Sequence, residues 1–494
     1  MSTSFTPVFP QLRQTLAPMK SRVRTVLGSF SQSTLFQIED RLKPALDAGL
    51  LRKPEKGDHS RERVFTLSRT FWSWIWQVLQ TNTSCREVVR QMQALFAVQA
   101  NERVDEATGA YCRARRKLPD RLLESALVSS HNQAQNHAVV SSLLQGRALK
   151  IVDGSGLRVA DSQSNREAFP PSLNQFSKPS FPMMKVVALF SAASGAILAK
   201  TIGNRHQSEL RLLMNLRAAL APQDVLAGDR HFGCFLLAAW LQSLNVDLVA
   251  RLSIRTRKVD FAKASKRFDP QDGLFFWRKP VKVSPLLSLL QWQDLPKGIP
   301  VRIISRRIVK KGFRTTELTV VTTLLDPELY PADEVFAAYL KRWRMEMCID
   351  DLKTTLGMEM LSCLSPQMLA KELLVFLITH NMLRWMMAQA AEHGNIDAER
   401  VSFKGTLDTF RQWTAGLLQA RGPRKKRHHA SLWRWFLQIL VADLVPLRPG
   451  RLEPRAVKKR SKYPPLRQPR SQFTDRWSRN KRRRESTARR TSLK

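Results

Sequence analysis

Between Tyr339 and Lys353 the sequence YLKRWRMEMCIDDLK places a phenol, a guanidinium, a carboxylate and an ammonium at helical spacing. At about 100° per residue, Tyr339, Arg342, Glu346 and Lys353 fall within an arc of roughly 60°. Such a set can grip a phosphate, with Arg and Lys on non-bridging oxygens and Tyr as a hydrogen-bond donor. Surface salt bridging explains part of the pattern, because Arg342 and Glu346 form an i, i+4 pair worth only about 0.3 kcal/mol. It does not explain the tyrosine. Met345, Ile349, Leu352 and Leu356 form an apolar stripe that can seat the helix on a core. Asp350 shares the face of Glu346 and is its rival.

Two further carboxylates stand where strands are expected to end. Asp153 closes the apolar run of RALKIVDGSG, and Asp229 follows DVLAG in a strand–helix–strand segment. A βαβ unit exposes its functional residues at such strand ends. Adjacent strands bring the two aspartates together, and Glu346 on a helix over the sheet completes an oxygen-only site. Ligands of that kind suit two Mg²⁺ ions, with Mn²⁺ as a substitute. A pair of such ions stabilises the attacking and leaving oxygens of an in-line phosphoryl displacement. Asp161, in a polar loop, and Asp224, ahead of its strand, read as structural. His231 either lies near the site or packs at a helix start.

The elements that position these residues fall into segments. Residues 1–140 read as helical. FWSWIWQVLQ, from Phe71, is a core helix rather than a base-stacking platform, and Ser84 with Glu87 forms a capping box. Arg113, Arg115, Arg116 and Lys117 crowd the end of a later helix, either as a DNA contact or as a solvated basic face. Residues 147–252 alternate strand and helix, with a hairpin in KVVALFSAASGAILAKTI. Residues 253–326 read as basic and β-rich. Pro331 and the acidic residues around it start the helical segment 327–395. More helices fill 396–446, and 447–494 read as a disordered basic tail. The fold class is α/β: a core interrupted by a β-rich insertion, with an all-α N-terminal region and a basic C-terminal region.

The chain has 494 residues, 43% of them hydrophobic, enough for a sizeable core, and a formal net charge of +40. That charge calls for a polyanion, nucleic acid before an anionic membrane, since no lipidation motif is present. The five cysteines form no C-x-x-C pair and read as free thiols in a reducing compartment. The N-terminal stretch lacks the apolar core of a signal peptide. LLVFLITHNMLRWMM, from Leu373, is too short and too polar to span a bilayer and reads as a buried helix.

The spacing Tyr339, Arg342, Glu346, Lys353 resembles the signature of the DDE transposases of the insertion sequence 4 family. VDGSGL, GDRHFG and VTTLLDPELYPADE are also similar to that family, as are ATGAYCRARRKLP and PLRPGRLEPRAVKKR, so the resemblance runs from about residue 80 to 470. It implies an RNase H-like catalytic core with the β-rich insertion between the second Asp and the Glu. It makes Asp153, Asp229 and Glu346 the metal-binding triad, and Tyr339, Arg342 and Lys353 contacts to the phosphate at the element's end. In related transposases a tryptophan of the insertion stacks on a flipped base. Trp277 and Trp292 are the candidates here, and each reads more readily as core. Asn381 and Arg384 resemble a further family element, but His380 replaces its aromatic residue.

The implied activity is Mg²⁺-dependent cleavage at terminal inverted repeats and strand transfer into target DNA by a homodimer. The implied setting is the bacterial cytoplasm, in association with the nucleoid. A nuclease without strand transfer and a catalytically silent DNA-binding regulator are the alternatives.

Overall fold

The run from Leu149 to Val159 forms a single strand, β1, and its partners explain the layout of the molecule. The computed structural model describes residues 35–80, 83–99, 103–139, 142–171, 181–252, 259–307, 317–416 and 425–445. The basic tail expected at 447–494 lies outside them.

Before the sheet come α1 (Leu35–Leu42), α2 (Leu67–Leu79), α3 (Cys85–Gln99), α4 (Gly109–Lys117) and α5 (Asp120–Asn136). Thr66 caps α2 by accepting from Arg69 N at 3.4 Å. Ser84 and Glu87 form the expected capping box, at 3.3 and 2.5 Å. Trp72, Trp74 and Trp76 of α2 are all buried, so FWSWIWQVLQ is core as its composition indicates.

After β1 follow α6 (Gln163–Ala168), β2 (Met183–Ser191), β3 (Ile197–Gly203), α7 (Glu209–Met214), β4 (Val225–Gly228), α8 (Phe235–Gln242) and β5 (Asp247–Arg251). The β-rich stretch supplies β6 (Lys266–Asp269), β7 (Asp272–Arg278), α9 (Leu289–Asp294), β8 (Gly298–Arg307) and β9 (Glu317–Thr322). Then come α10 (Ala332–Leu340), α11 (Arg342–Asp350), a π-helical turn (Asp351–Thr355), β10 (Met360–Leu361), α12 (Pro366–Gly394), α13 (Phe403–Gly416) and α14 (Lys425–Ala442).

All the strands join one mixed sheet in the order β3-β2-β1-β4-β5-β9-β8-β7-β6, with β10 alongside β1. β1, β4 and β5 run parallel, while β2, β3 and β9 are antiparallel to their neighbours. The hairpin expected around Ser194–Gly195 is β2 and β3, and Gly195 supplies the positive φ of 70° in its turn. The β-rich stretch extends this sheet through β9, which pairs with β5.

Side chains alternate across the strands, and this separates two apolar cores. Ile151 and Ala227 face a core shared with Met345, Cys348 and Leu352 and with α2, α5 and α12. Val152, Leu226, Leu248 and Ala250 face the other, with α7, α8, Trp277 and Trp292. Ser365 caps α12 by accepting from Met368 N at 3.4 Å, Pro366 occupies its first turn, and left-handed Asn395 ends it. That helix holds LLVFLITHNMLRWMM and is buried along most of its length. No described helix is long and apolar enough to cross a membrane.

The structure corrects two expectations. Asp153 does not end a strand: β1 continues past it, paired with β2 through Asp153↔Ala188 and beyond. What ends near it is the pairing with β4, last seen at Ile151↔Ala227. The glycines after Asp153 are strand positions, and the Glu209 carboxyl end lies over Gly154. The second correction concerns the signature helix, which does not stay regular to its end. α10 and α11 are separated by Lys341 alone, whose backbone stays helical and still donates to Ala337 O at 3.2 Å, and the helix end opens into the π turn, where Leu356 N donates to Asp351 O at 2.9 Å.

Candidate active site

Asp153 on β1 and Asp229 just past the end of β4 stand at one level. Each lies two residues beyond the last β1–β4 pair, Ile151↔Ala227, and on the same side of the sheet as that pair. Helix α11 packs on β1 across this face, and α10 packs on β4 and β5. A carboxylate oxygen of each aspartate is already held by backbone: Asp153 Oδ1 accepts from Gly154 N at 2.8 Å, and Asp229 Oδ1 from His231 N at 2.8 Å. These hydrogen bonds orient the carboxylates and leave the other oxygens for a ligand. The His231 ring is exposed, and its contribution here is this backbone donor.

The charges sense one another. Burial pushes the Asp153 carboxyl up to about 6; the Gly154 N–H and the Arg342 guanidinium pull it down, and Asp229 and Glu346 push it up. Glu346 is exposed on α11 and accepts from Arg342 Nη2 at 3.0 Å. Asp350 is exposed and acts on its neighbour Asp351, while Glu346 acts on Asp153. Asp161 pairs with Arg166, and Asp224 pairs with Lys150 at 2.6 Å, as befits structural residues.

Tyr339 is fully buried under Arg342, whose guanidinium carbon is 5.6 Å from the ring centroid. Burial raises the phenol's pKa, Arg342 and Arg251 lower it, and Asp229 raises it. The Tyr339 hydroxyl and Arg342 Nε are buried and make no hydrogen bond of good geometry, though the hydroxyl and the guanidinium lie close enough to act on each other. An orphan of this kind costs about 1–3 kcal/mol unless a ligand fills it.

Sequence reasoning missed Arg251. Gly228 pairs with Ala250 across β4 and β5, so Arg251 ends β5 beside Asp229. A signal was available: the strand after a βαβ helix lies next to the strand that bears the second Asp.

Lys353 sits half-buried in the π turn. A regular helix puts it about 10 Å along the axis from Glu346, and the wider turn changes the face it presents. Among the described residues no three His, Cys, Asp or Glu side chains stand together as a ready-made metal-ligand set.

The family description Transposase DDE domain matches residues 145–382, a span that contains Asp153, Asp229 and Glu346. The chain is also 24% identical over 442 residues to the Escherichia coli (strain K12) transposase InsG for insertion sequence element IS4. That alignment covers 88% of this chain and 94% of the relative. Residues 145–382 thus carry a transposase DDE domain, and the chain as a whole is similar to a transposase of an insertion sequence element. It is an enzyme that acts on DNA, of a class that depends on divalent metal. Among solved structures it is similar to a piggyBac transposase synaptic complex with hairpin DNA. The identity there is 11%, the TM-score 0.40, and 86% of each chain is covered.

The remaining candidates of this transposase separate by burial. Arg113 and Arg116 are exposed on α4. Arg115 is buried, its guanidinium 4.8 Å from the Trp74 ring and 5.0 Å from Tyr111, so packing engages it rather than solvent. Trp277 and Trp292 lie in the second core, with the Lys279 ammonium 5.4 Å from the Trp292 ring. Asn381 is buried and clamps β3 to α5: its Oδ1 accepts from Ile197 N at 2.8 Å, and its Nδ2 donates to Ile197 O and to Ser130 Oγ. Arg384 pairs with Asp351 at 3.1 Å.

Proposed function

We propose that this transposase cleaves DNA at the terminal inverted repeats of its own element and joins the freed 3′ end to target DNA. The observation that carries the reading is that Asp153 and Asp229 stand at one level past the last β1–β4 pair, with Arg342 and Glu346 close enough to act on the Asp153 charge and two buried polar atoms, neither in a hydrogen bond of good geometry, beside them. We read the order β3-β2-β1-β4-β5 as an RNase H-like core, with 253–326 as its insertion.

The donor set fits hard divalent cations, because it is made of carboxylate oxygens alone and the aspartates are pre-oriented by backbone N–H groups. Asp153, Asp229 and Glu346 would hold two Mg²⁺, or Mn²⁺ in their place. Bound there, the cations supply Lewis-acid stabilisation of the attacking and leaving oxygens. The protein's own part is positioning and charge. Arg342 releases Glu346 and turns to a non-bridging phosphate oxygen, and Tyr339 donates its hydroxyl to the same phosphate. Arg251 adds positive charge beside Asp229. Lys353 serves phosphates farther along the DNA.

Division of labour follows the sequence segments. Residues 1–140 bind DNA through Arg113 and Arg116, 147–252 and 327–395 form the catalytic core, and 396–446 support it. The tail 447–494 adds sequence-independent affinity. The working form is a homodimer that holds two ends, acting in the cytoplasm on nucleoid DNA.

The test is incubation of the protein with a pre-cleaved end, plasmid DNA and Mg²⁺. Joined products support the transposase reading. Hydrolysis without joining would make the chain a nuclease, and binding without either would make it a silent regulator.

A further inference from the structure

One surface outside the catalytic face is built for polyanions. The loop RKPEKGDHSRER, from Arg52 to Arg63, lies against α4, and two hollows open on either side of the Lys117–Asp58 ion pair, which is 2.7 Å long. Arg52, Lys56 and Arg116 line the first hollow, and Arg61, Arg63 and Arg113 line the second. All these side chains are exposed, and among the described residues none is paired with a carboxylate. The loop's acids are neutralised or displaced: Glu62 pairs with Lys53 at 3.3 Å and Arg69 at 3.2 Å, and Glu55 lines neither hollow.

The loop is pinned at a conformational cost. His59 adopts a left-handed φ of 61°, rare for a residue with a side chain, and its Nε2 donates to Ala114 O on α4 at 3.2 Å. The wall behind it is prepared as well. The carbonyls at the end of α4 carry the negative pole of that helix and would repel a phosphate. Lys371, 3% exposed, reaches across from α12 and donates to Arg116 O at 2.7 Å and to Leu118 O at 2.6 Å. A buried lysine is expensive to place; its charge offsets both these carbonyls and the carboxylate of Asp120, which lines the first hollow 3.6 Å from its ammonium.

We propose that the Arg52–Arg63 loop and α4 together form one groove for the phosphodiester backbone of duplex DNA. The groove positions the duplex and does not read its bases. This rests on the reading that the chain works on DNA, and it assigns to the loop a share of the contact otherwise given to α4 alone.

The test neutralises the loop in the full chain: Arg52→Gln, Lys56→Gln, Arg61→Gln and Arg63→Gln combined. Fluorescence anisotropy follows affinity against salt on a duplex with the terminal repeat and on a scrambled one. The slope of log K against log salt is expected to become shallower by about two to four units on both duplexes, at roughly 0.9 per lost phosphate contact. The melting temperature is expected to stay put, because all four side chains are exposed. A slope that matches the parent chain on both duplexes overturns the groove. A fall confined to the terminal repeat overturns the claim that it ignores sequence. A parent chain with no salt-dependent DNA binding would instead fail the underlying reading, a result visible before any variant is made.

Discussion

Asp153 on β1 and Asp229 after β4 occupy the same level of the sheet, two residues past Ile151↔Ala227, where the two parallel strands cease to pair. The crevice that opens there is roofed by α10 and α11. Two carboxylates and a guanidinium share it, and its electrostatics give the first prediction.

The Asp153 carboxyl has a raised pKa of about 6 against an ordinary 3.8. A raised folded-state pKa contributes stability in full below pH 3.8, and that contribution is lost as pH rises through 6. At pH 8 the charged form therefore opposes folding by about 2–3 kcal/mol. Asp153→Asn is expected to raise the melting temperature of the metal-free protein at pH 8, to change it little near pH 4, and to abolish cleavage. Equal stabilisation at both pH values would show that the carboxylate is not under this strain.

Tyr339→Phe separates fold from function. The hydroxyl is buried and makes no hydrogen bond of good geometry in the free protein, so its loss should leave stability within about 1 kcal/mol or improve it. The cleavage rate should fall by about 10- to 100-fold if the hydroxyl serves the scissile phosphate. Thermal melts and single-turnover cleavage decide it; an unchanged rate removes Tyr339 from the phosphate.

Arg115 and Arg113 are predicted to part company. Arg115→Ala removes a guanidinium packed between Trp74 and Tyr111, and should lower stability by about 1–3 kcal/mol. Arg113→Ala, on the exposed face, should leave the melt alone and weaken DNA binding in a salt-dependent way. The reverse pattern would mean that Arg115 leaves its packed position on DNA.

Asp350→Asn is expected to keep cleavage within about threefold of the parent, because Asp350 is exposed and its charge acts on Asp351. Loss comparable to that of Asp153→Asn would reopen the assignment of the third carboxylate.

Much of this site was legible because its parts have strong local signatures. The spacing of Tyr339, Arg342 and Glu346 follows helix geometry, which the backbone keeps through Lys341. Asp229 was legible because a short apolar strand runs into a turn. Asp153 was placed in the wrong kind of position, since VDGSG looks like a turn when the partners of its glycines are unseen. Gly154 and Gly156 are strand residues, paired with Val187 and Lys185 of β2. The π turn that carries Lys353 left no pattern in the apolar stripe. Arg115 and Arg113 look alike in a basic run, and only the packing of Trp74 tells them apart. Arg251 escaped notice because its importance comes from pairing with another strand, not from its own neighbours.

The most direct measurement is Mg²⁺-dependent nicking of a terminal-repeat duplex by Glu346→Gln, with end-binding followed by gel shift on the same preparation. The predicted result is loss of nicking by at least about a thousandfold, with end-binding nearly intact. Retained Mg²⁺-dependent nicking by that variant would contradict the assignment of Asp153, Asp229 and Glu346 as the catalytic triad.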